Sequence, residues 1–334
     1  MSGPATALDR QADWTSQTGK QGAALERAPS IAVLVPCHNE APTVAGVVAD
    51  FRRALPHAAI FVFDNDSIDS TAANAEAAGA VVRSAPLKGK GNVVRRMFAD
   101  VEADVYLLVD GDGTYDASAA PRMIDRLVEE GLDMVAAARV STDSEAFRAG
   151  HRLGNRALSG VVRLVFGRQF RDMLTGYRAF SRRFVKSFPA ASAGFEIETE
   201  LTVHTLQMRL PAIEIEAAYG ARPEGSESKL STFRDGLRIL RMISLMVREE
   251  RPIQFFGVAG LLAVALAALL AEPVLMVYLK TGLVPRLPTL VVAVGLMVTA
   301  LLSFFCGLVL DSVSRLRLEQ RRLAYLAWPG PGAG

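Results

Sequence analysis

The stretch Val105-Tyr-Leu-Leu-Val-Asp110-Gly-Asp112-Gly-Thr-Tyr-Asp116 decides how this chain folds. Five apolar residues run into two carboxylates spaced i, i+2, with glycines at 111 and 113. An apolar run this short, closed by Gly, reads as a buried strand. A strand ending in Asp110 and Asp112 places both at the carboxyl edge of an open α/β sheet, where ligands bind. Paired hard oxygen ligands suit Mg²⁺ or Mn²⁺, and such ions usually sit on substrate phosphates. Gly111 and Gly113 let backbone approach a bulky polyphosphate closely. The competing reading is an Asp-Gly turn closing a hairpin, and the flanking chain decides between them.

Upstream, Ile31-Ala-Val-Leu-Val-Pro36 reads as a buried strand followed by Cys-His-Asn39-Glu40. Pro42 then heads an apolar-periodic helix to Leu55, a position where its missing N–H would be unpaired anyway. Ala59-Ile-Phe-Val-Phe63 is a second strand, ending in Asp64-Asn-Asp66-Ser67-Ile-Asp69-Ser-Thr71. A helix over about 70–78, a short strand Ala80–Arg83 and Lys88-Gly-Lys90-Gly91 follow, the last opening a helix through Phe98. Tyr106–Asp110, a helix Pro121–Glu130 and a strand Met134–Ala138 complete the pattern. Strands alternating with helices predict a mostly parallel, doubly wound sheet. The acidic and polar clusters all fall at strand ends, hence on one edge of that sheet. Each has a plainer reading as a turn or helix cap, Ser67 or Asp69 included. Capping and binding are compatible, because a helix N-terminus attracts anions. Lys88-Gly-Lys90-Gly91 lacks the spacing of a Walker loop, and no G-x-G-x-x-G follows the first strand. That excludes the P-loop reading and weighs against a nicotinamide-dependent dehydrogenase.

Taken in this order, Val35-Pro36-Cys-His-Asn39-Glu40, the Asp64–Thr71 cluster, Lys88-Gly-Lys90-Gly91 and Asp110-Gly-Asp112 resemble the family 2 glycosyltransferases of the GT-A fold. More narrowly they resemble the polyprenyl-phosphate branch that includes dolichyl-phosphate mannose synthase. Asp172-Met-Leu-Thr175-Gly-Tyr-Arg178-Ala-Phe and Arg222-Pro-Glu-Gly-Ser-Glu-Ser228-Lys229-Leu-Ser extend the likeness over residues 31–235. Asn65 departs from it where the family often has a second Asp, and Thr114 where some relatives carry a further polar metal-site residue. The resemblance implies a nucleotide-sugar pocket formed by Pro36, Asn39, Glu40, Asp64, Asp66, Lys90, Asp110 and Arg139. It implies that Asp110 and Asp112 hold the donor diphosphate through Mg²⁺ or Mn²⁺. Arg139, Arg152, Arg222 and Lys229 are then the acceptor-phosphate set, and Asp110, Asp112, Arg222 and Lys229 the catalytic one. The implied activity transfers one sugar from a UDP- or GDP-sugar to a polyprenyl phosphate such as undecaprenyl phosphate, with inversion. Transfer to a hydroxyl is the alternative; it needs a base, for which Glu196, Glu198 or Asp172 is available. A non-catalytic membrane protein with a nucleotide fold is disfavoured by the intact Asp110 and Asp112.

Composition fits a membrane-bound enzyme. Half of the 334 residues are hydrophobic and the formal charge is only +2. No charged tail suggests nucleic acid. Cys37 and Cys306, far apart, and four scattered histidines give neither a disulfide scaffold nor a zinc site. Residues 1–29 read as a disordered lead, and 30–229 as the catalytic domain. Two basic amphipathic stretches, 146–170 and 230–251, suit a bilayer surface, the second forming an interfacial helix over 230–252. Spans are expected over 253–279 and 289–311, with a loop 280–288 and a tail 312–334. The first apolar run is interrupted at Glu272-Pro273. Arg241, Arg248 and Arg251 precede the hairpin and Arg315, Arg317, Arg321 and Arg322 follow it, whereas the loop holds only Lys280 and Arg286. That bias places the catalytic domain and both chain ends on the cytoplasmic face of the inner membrane. Self-association is left open.

Overall fold

The computed structural model of the chain describes residues 28–141, 170–220 and 252–331. The first two segments build one sheet from β1 (Ile31–Cys37), β2 (Ala59–Asp64), β3 (Val81–Ser84), β4 (Val105–Leu108), β5 (Met134–Ser141), β6 (Arg178–Ser181) and β7 (Ala212–Tyr219). Their order is β3-β2-β1-β4-β6-β5-β7. All pairings are parallel except those of β6, which runs antiparallel to β4 and to β5. The chain starts at β1, winds outward to β3, then returns to β4 on the other side of β1. A crevice opens where the winding reverses, at the carboxyl ends of β1 and β4.

The helices are α1 (Val44–Ala54), α2 (Thr71–Ala77), α3 (Lys90–Asp100), α4 (Ala119–Glu129), α5 (Arg182–Ser187) and α6 (Ile197–Met208). In α1, Val44, Val47, Val48 and Phe51 recur at helical spacing and are the buried residues. They join α4 in one core layer, while Val93, Val94, Met97 and Phe98 of α3 join α6 in the other. With a layer on each face, every residue of β4 is buried, which is why that strand is apolar without alternation. Pro42 lies in the turn ahead of α1 rather than at its first residue.

Two long helices follow, α7 (Pro252–Thr281) and α8 (Leu287–Leu326). Both are long and apolar enough to cross a membrane, with best-window mean hydropathies of 2.3 and 2.4. α7 continues through Pro273, as one helix across the point where the apolar run is interrupted. Neighbouring helices can re-satisfy the backbone group a proline frees. The two helices meet closely at Gly307, where a Cβ would stand 3.3 Å from the Phe256 Cβ. The lead to residue 27, most of the 146–170 stretch and the whole 230–251 stretch, with Arg152, Arg222 and Lys229, lie outside the described residues.

Candidate active site

Asp110 stands just beyond β4, at the carboxyl edge of the sheet. Its Oδ1 lies 2.5 Å from the Lys90 ammonium, which donates a second bond of 2.6 Å to Glu198 Oε1. Lys90 is the first residue of α3 and Glu198 sits in the first turn of α6, so the N-terminal ends of two helices of the same layer close on Asp110. The Lys90 side chain is 7% exposed. Burial alone would pull its pKa down; the Asp110 and Glu198 carboxylates outweigh that and hold it above the ordinary lysine value. Glu198 is pushed above the usual carboxylate range, by burial first and then by the Asp110 charge, against the pull of Lys90.

The surrounding backbone is fitted to this group. A Cβ on Gly176 would stand 2.4 Å from Asp110 Oδ2, so only glycine lets the Thr175–Tyr177 segment lie against that carboxylate. The Gly176 amide donates to the Tyr115 hydroxyl at 2.9 Å. A Cβ on Gly91 would fall 2.1 Å from the Ser192 carbonyl, and the Gly91 and Asn92 amides donate to the carbonyls of Gly194 and Ala193. The Lys88–Gly91 glycines therefore serve a close backbone crossing with residues 192–194. Asp112 is buried, its Oδ1 accepting from the Thr114 hydroxyl at 2.6 Å and the Thr114 amide at 3.2 Å. Thr114 thus orients a carboxylate. The Thr43 hydroxyl ties the intervening Gly111 carbonyl to the head of α1 at 2.6 Å.

A cavity of about 190 Å³ opens here, walled by Pro36, Glu40, Lys90, Asp110 and Asp112, with His38, Asn65 and Phe195 among its other residues. Five of the sequence-predicted residues thus come together. The remaining described ones stand beside it. Asn39, in the left-handed region at φ 53°, accepts from the Ile68 amide through Oδ1, so it braces the loop after β2. Asp64 Oδ1 is buried and has no hydrogen-bond partner among the described residues. Asp66 pairs with Lys88 at 3.2 Å on the surface. Asp69, rather than Ser67, takes the first amide of α2 at Thr71, while Ser67 accepts from Asn39 N. Arg139 engages Asp172 with both arms of its fork, at 2.7 and 2.9 Å, and its guanidinium lies 5.4 Å from the Tyr219 ring. Although burial raises the Asp172 pKa, Arg139 more than offsets it and holds the carboxyl below its ordinary value. The guanidinium read from sequence as a phosphate ligand pairs with Asp172 through Nε and Nη2.

Asn65 carries a role the sequence did not disclose. Its side-chain amide donates to the carbonyls of Ala85 and Leu87, and its carbonyl accepts from Gly89 N. An Asp could not make both donations, so Asn65 is the splint of the Lys88–Lys90 segment. Gly176 and the Glu198–Lys90 link are also legible only in three dimensions. Asp110 and Asp112 suit a divalent ion: Mg²⁺ commonly binds through one or two carboxylates and completes its shell with substrate phosphates and water. Among the described residues no group of three or more such ligands exists, so phosphate oxygens would have to supply the rest.

The model of glycosyl transferase family 2 matches residues 32–188. Glycosyltransferase AglJ of Haloferax volcanii is 33% identical over 295 residues, covering 88% of this chain and 96% of that one. This chain is a family 2 glycosyltransferase. A second relative of this glycosyltransferase, the dolichyl-phosphate hexose transferase of Haloferax volcanii, is 27% identical over 222 residues, 66% of this chain and 95% of that one. Among solved structures, glucosyl-3-phosphoglycerate synthase from Mycobacterium tuberculosis, in complex with Mn²⁺, UDP-glucose and phosphoglyceric acid, superposes with a TM-score of 0.53 at 23% identity. It covers 69% of this chain and 80% of that one. That likeness gives the fold, GT-A. The chain is accordingly an enzyme of the hexosyltransferase class.

Proposed function

We propose that this glycosyltransferase moves one sugar from a nucleotide-diphosphate sugar to a polyprenyl phosphate at a membrane surface. The observation that carries the reading is a family 2 site on the same chain as two helices long and apolar enough to cross a membrane. The relative named as a dolichyl-phosphate hexose transferase supports it. The donor binds in the cavity between Pro36 and Phe195, with Asp64, at the end of β2 beside it, serving its nucleoside. Asp110 and Asp112 would hold a divalent ion, which when bound would neutralise charge on the donor diphosphate. The Lys90 ammonium adds a fixed positive charge beside Asp110 without reorganisation. The acceptor phosphate is ionised at neutral pH and attacks the anomeric carbon directly. The bond from that carbon to the diphosphate oxygen breaks as the new carbon–oxygen bond forms, which inverts the centre. Arg152, Arg222 and Lys229 orient the acceptor phosphate; Arg139, paired with Asp172, contributes charge rather than a hydrogen-bonding fork.

Glu198 favours a second reading. A buried carboxylate held above the usual range is suited to take a proton from a sugar hydroxyl. The test is incubation of the purified protein with undecaprenyl phosphate, a panel of UDP- and GDP-sugars and Mg²⁺ or Mn²⁺, followed by mass and mild-acid lability of the lipid product. An acid-labile product one hexose heavier supports the phosphate acceptor. A product only with a glycan acceptor, stable to mild acid, supports the hydroxyl. Cysteine labelling in intact cells tests the topology: a probe within 280–288 should react from outside and one within 1–29 should not.

A further inference from the structure

The last turns of α8 do not hang free. The helix loses its apolar character at Asp311 and continues, without a break, to Leu326. Sixteen residues at 1.5 Å each carry it about 24 Å past Leu310. Over that length it returns to the catalytic domain. Leu318 and Tyr325 pack against the α3/α6 core layer. The Arg321 guanidinium donates to Gln207 Oε1 at 2.8 Å. Just past the helix, the Trp328 ring receives Arg182 at 4.5 Å, while Arg183 lies 4.7 Å from the Tyr325 ring.

The centre of this contact is a fully buried carboxylate, Asp133. It accepts from Arg183 at 2.6 and 3.1 Å, from the Ser181 hydroxyl at 2.7 Å and from the Tyr325 hydroxyl at 2.8 Å. A buried charge persists only when paired and hydrogen-bonded, and Tyr325 supplies one of its donors across 192 residues of sequence. Asp133 precedes β5, which runs parallel to β4 through the intervening β6. The contact therefore lies at the edge of the sheet opposite Asp110. α6 joins the two edges: Gln207 touches α8 near its end, and Glu198, nine residues or about 14 Å earlier, holds Lys90.

We propose that the segment from Leu318 to Trp328 is a mount, an intramolecular interface that fixes the catalytic domain to the α7–α8 hairpin in one orientation. It rests on reading α7 and α8 as membrane spans and not on the identity of the acceptor. Because α8 is one continuous helix from span to interface, no flexible linker intervenes on that side. Orientation of the crevice relative to the hairpin is then set by Asp133, Arg183, Gln207, Arg321, Tyr325 and Trp328.

The test uses the full chain in lipid nanodiscs with Cys306→Ser, buried Cys37 being retained. Spin labels on Glu129→Cys and Thr281→Cys, both exposed, report one distance between domain and hairpin. A single narrow distance distribution is expected, and Tyr325→Ala with Trp328→Ala should lose it. Separately, Gln207→Cys with Arg321→Cys should be joined by bismaleimidoethane, with the yield falling in the same double variant. Arg321→Ala, which leaves the Asp133 cluster whole, serves if the double variant fails to fold. A broad distribution in the parent, no cross-link in the folded chain, or an equally narrow distribution in both variants would overturn the mount. Failure of the parent to glycosylate undecaprenyl phosphate refutes the proposed acceptor and leaves both distance readouts unaffected.

Discussion

Gly176→Ala places one methyl group against the carboxylate on which the site depends. Its Cβ would stand 2.4 Å from Asp110 Oδ2, 2.8 Å from Cγ and 2.9 Å from Oδ1, where ordinary contact begins at 3.4 Å. About 1 Å must be found. The methyl group is short and rigid, and Asp110 is held from the other side by Lys90 at 2.5 Å. The Gly176 amide is itself fixed on the Tyr115 hydroxyl, so the segment cannot simply retreat. Overpacking of this kind costs about 1–3 kcal/mol of stability. A misplacement near 1 Å at a catalytic group costs on the order of a hundredfold in rate. The expected result is a folded protein with a modestly lowered melting temperature and sugar transfer down roughly a hundredfold. Donor turnover measured beside circular dichroism checks it. Transfer within a few-fold of the parent would refute the argument that Asp110 must nest against residue 176.

Asp112→Asn should keep the fold and lower both Mn²⁺ affinity and sugar transfer by on the order of a hundredfold; near-normal turnover, or full activity in excess EDTA, removes the metal from the mechanism. Asn65→Ala strips hydrogen bonds from Ala85 O, Leu87 O and Gly89 N, so it should cost about 1–3 kcal/mol and weaken donor binding more than turnover; unchanged melting and donor KM would show that the Lys88–Lys90 segment holds its shape unaided. His204 makes acid stability testable. Burial, and secondarily the Arg321 charge, push its pKa down to about 3 from 6.5. The unfolded chain therefore takes up the proton first, so the stability is whole above about pH 6.5 and is lost progressively towards pH 3, by about 2 kcal/mol at pH 5. Urea midpoints of His204→Gln should be flatter over that window; curves parallel to the parent would mean that His204 does not govern the loss.

The alternation of strands and helices was legible in the sequence because burial imprints a local period on the chain. Val105–Val109 reads as a strand buried on both faces, and Val44, Val47, Val48 and Phe51 as one helical stripe, whatever else the chain does. The placement of Asp110 and Asp112 follows from that strand and the sheet it must join. The two long apolar helices follow from composition alone. Partnerships between distant segments leave no such imprint. Lys90 and Glu198 stand 108 residues apart; the family likeness brings Lys90 to the pocket of Asp110, but nothing in either neighbourhood marks Glu198 as its second partner. The pairing of Arg139 with Asp172 appears only when the fold sets that carboxylate opposite its fork, and Asn65 reads as a departure from its family until its three backbone partners are seen. The sequence determined the alternating strands and helices as far as β5, the two long apolar helices, and which strand end carries the carboxylates, because those depend on neighbours along the chain. The tertiary structure alone decided that Gly176 presses on Asp110 and that Tyr325 reaches Asp133, because such contacts exist only once sheet order and helix packing have brought far segments to one point.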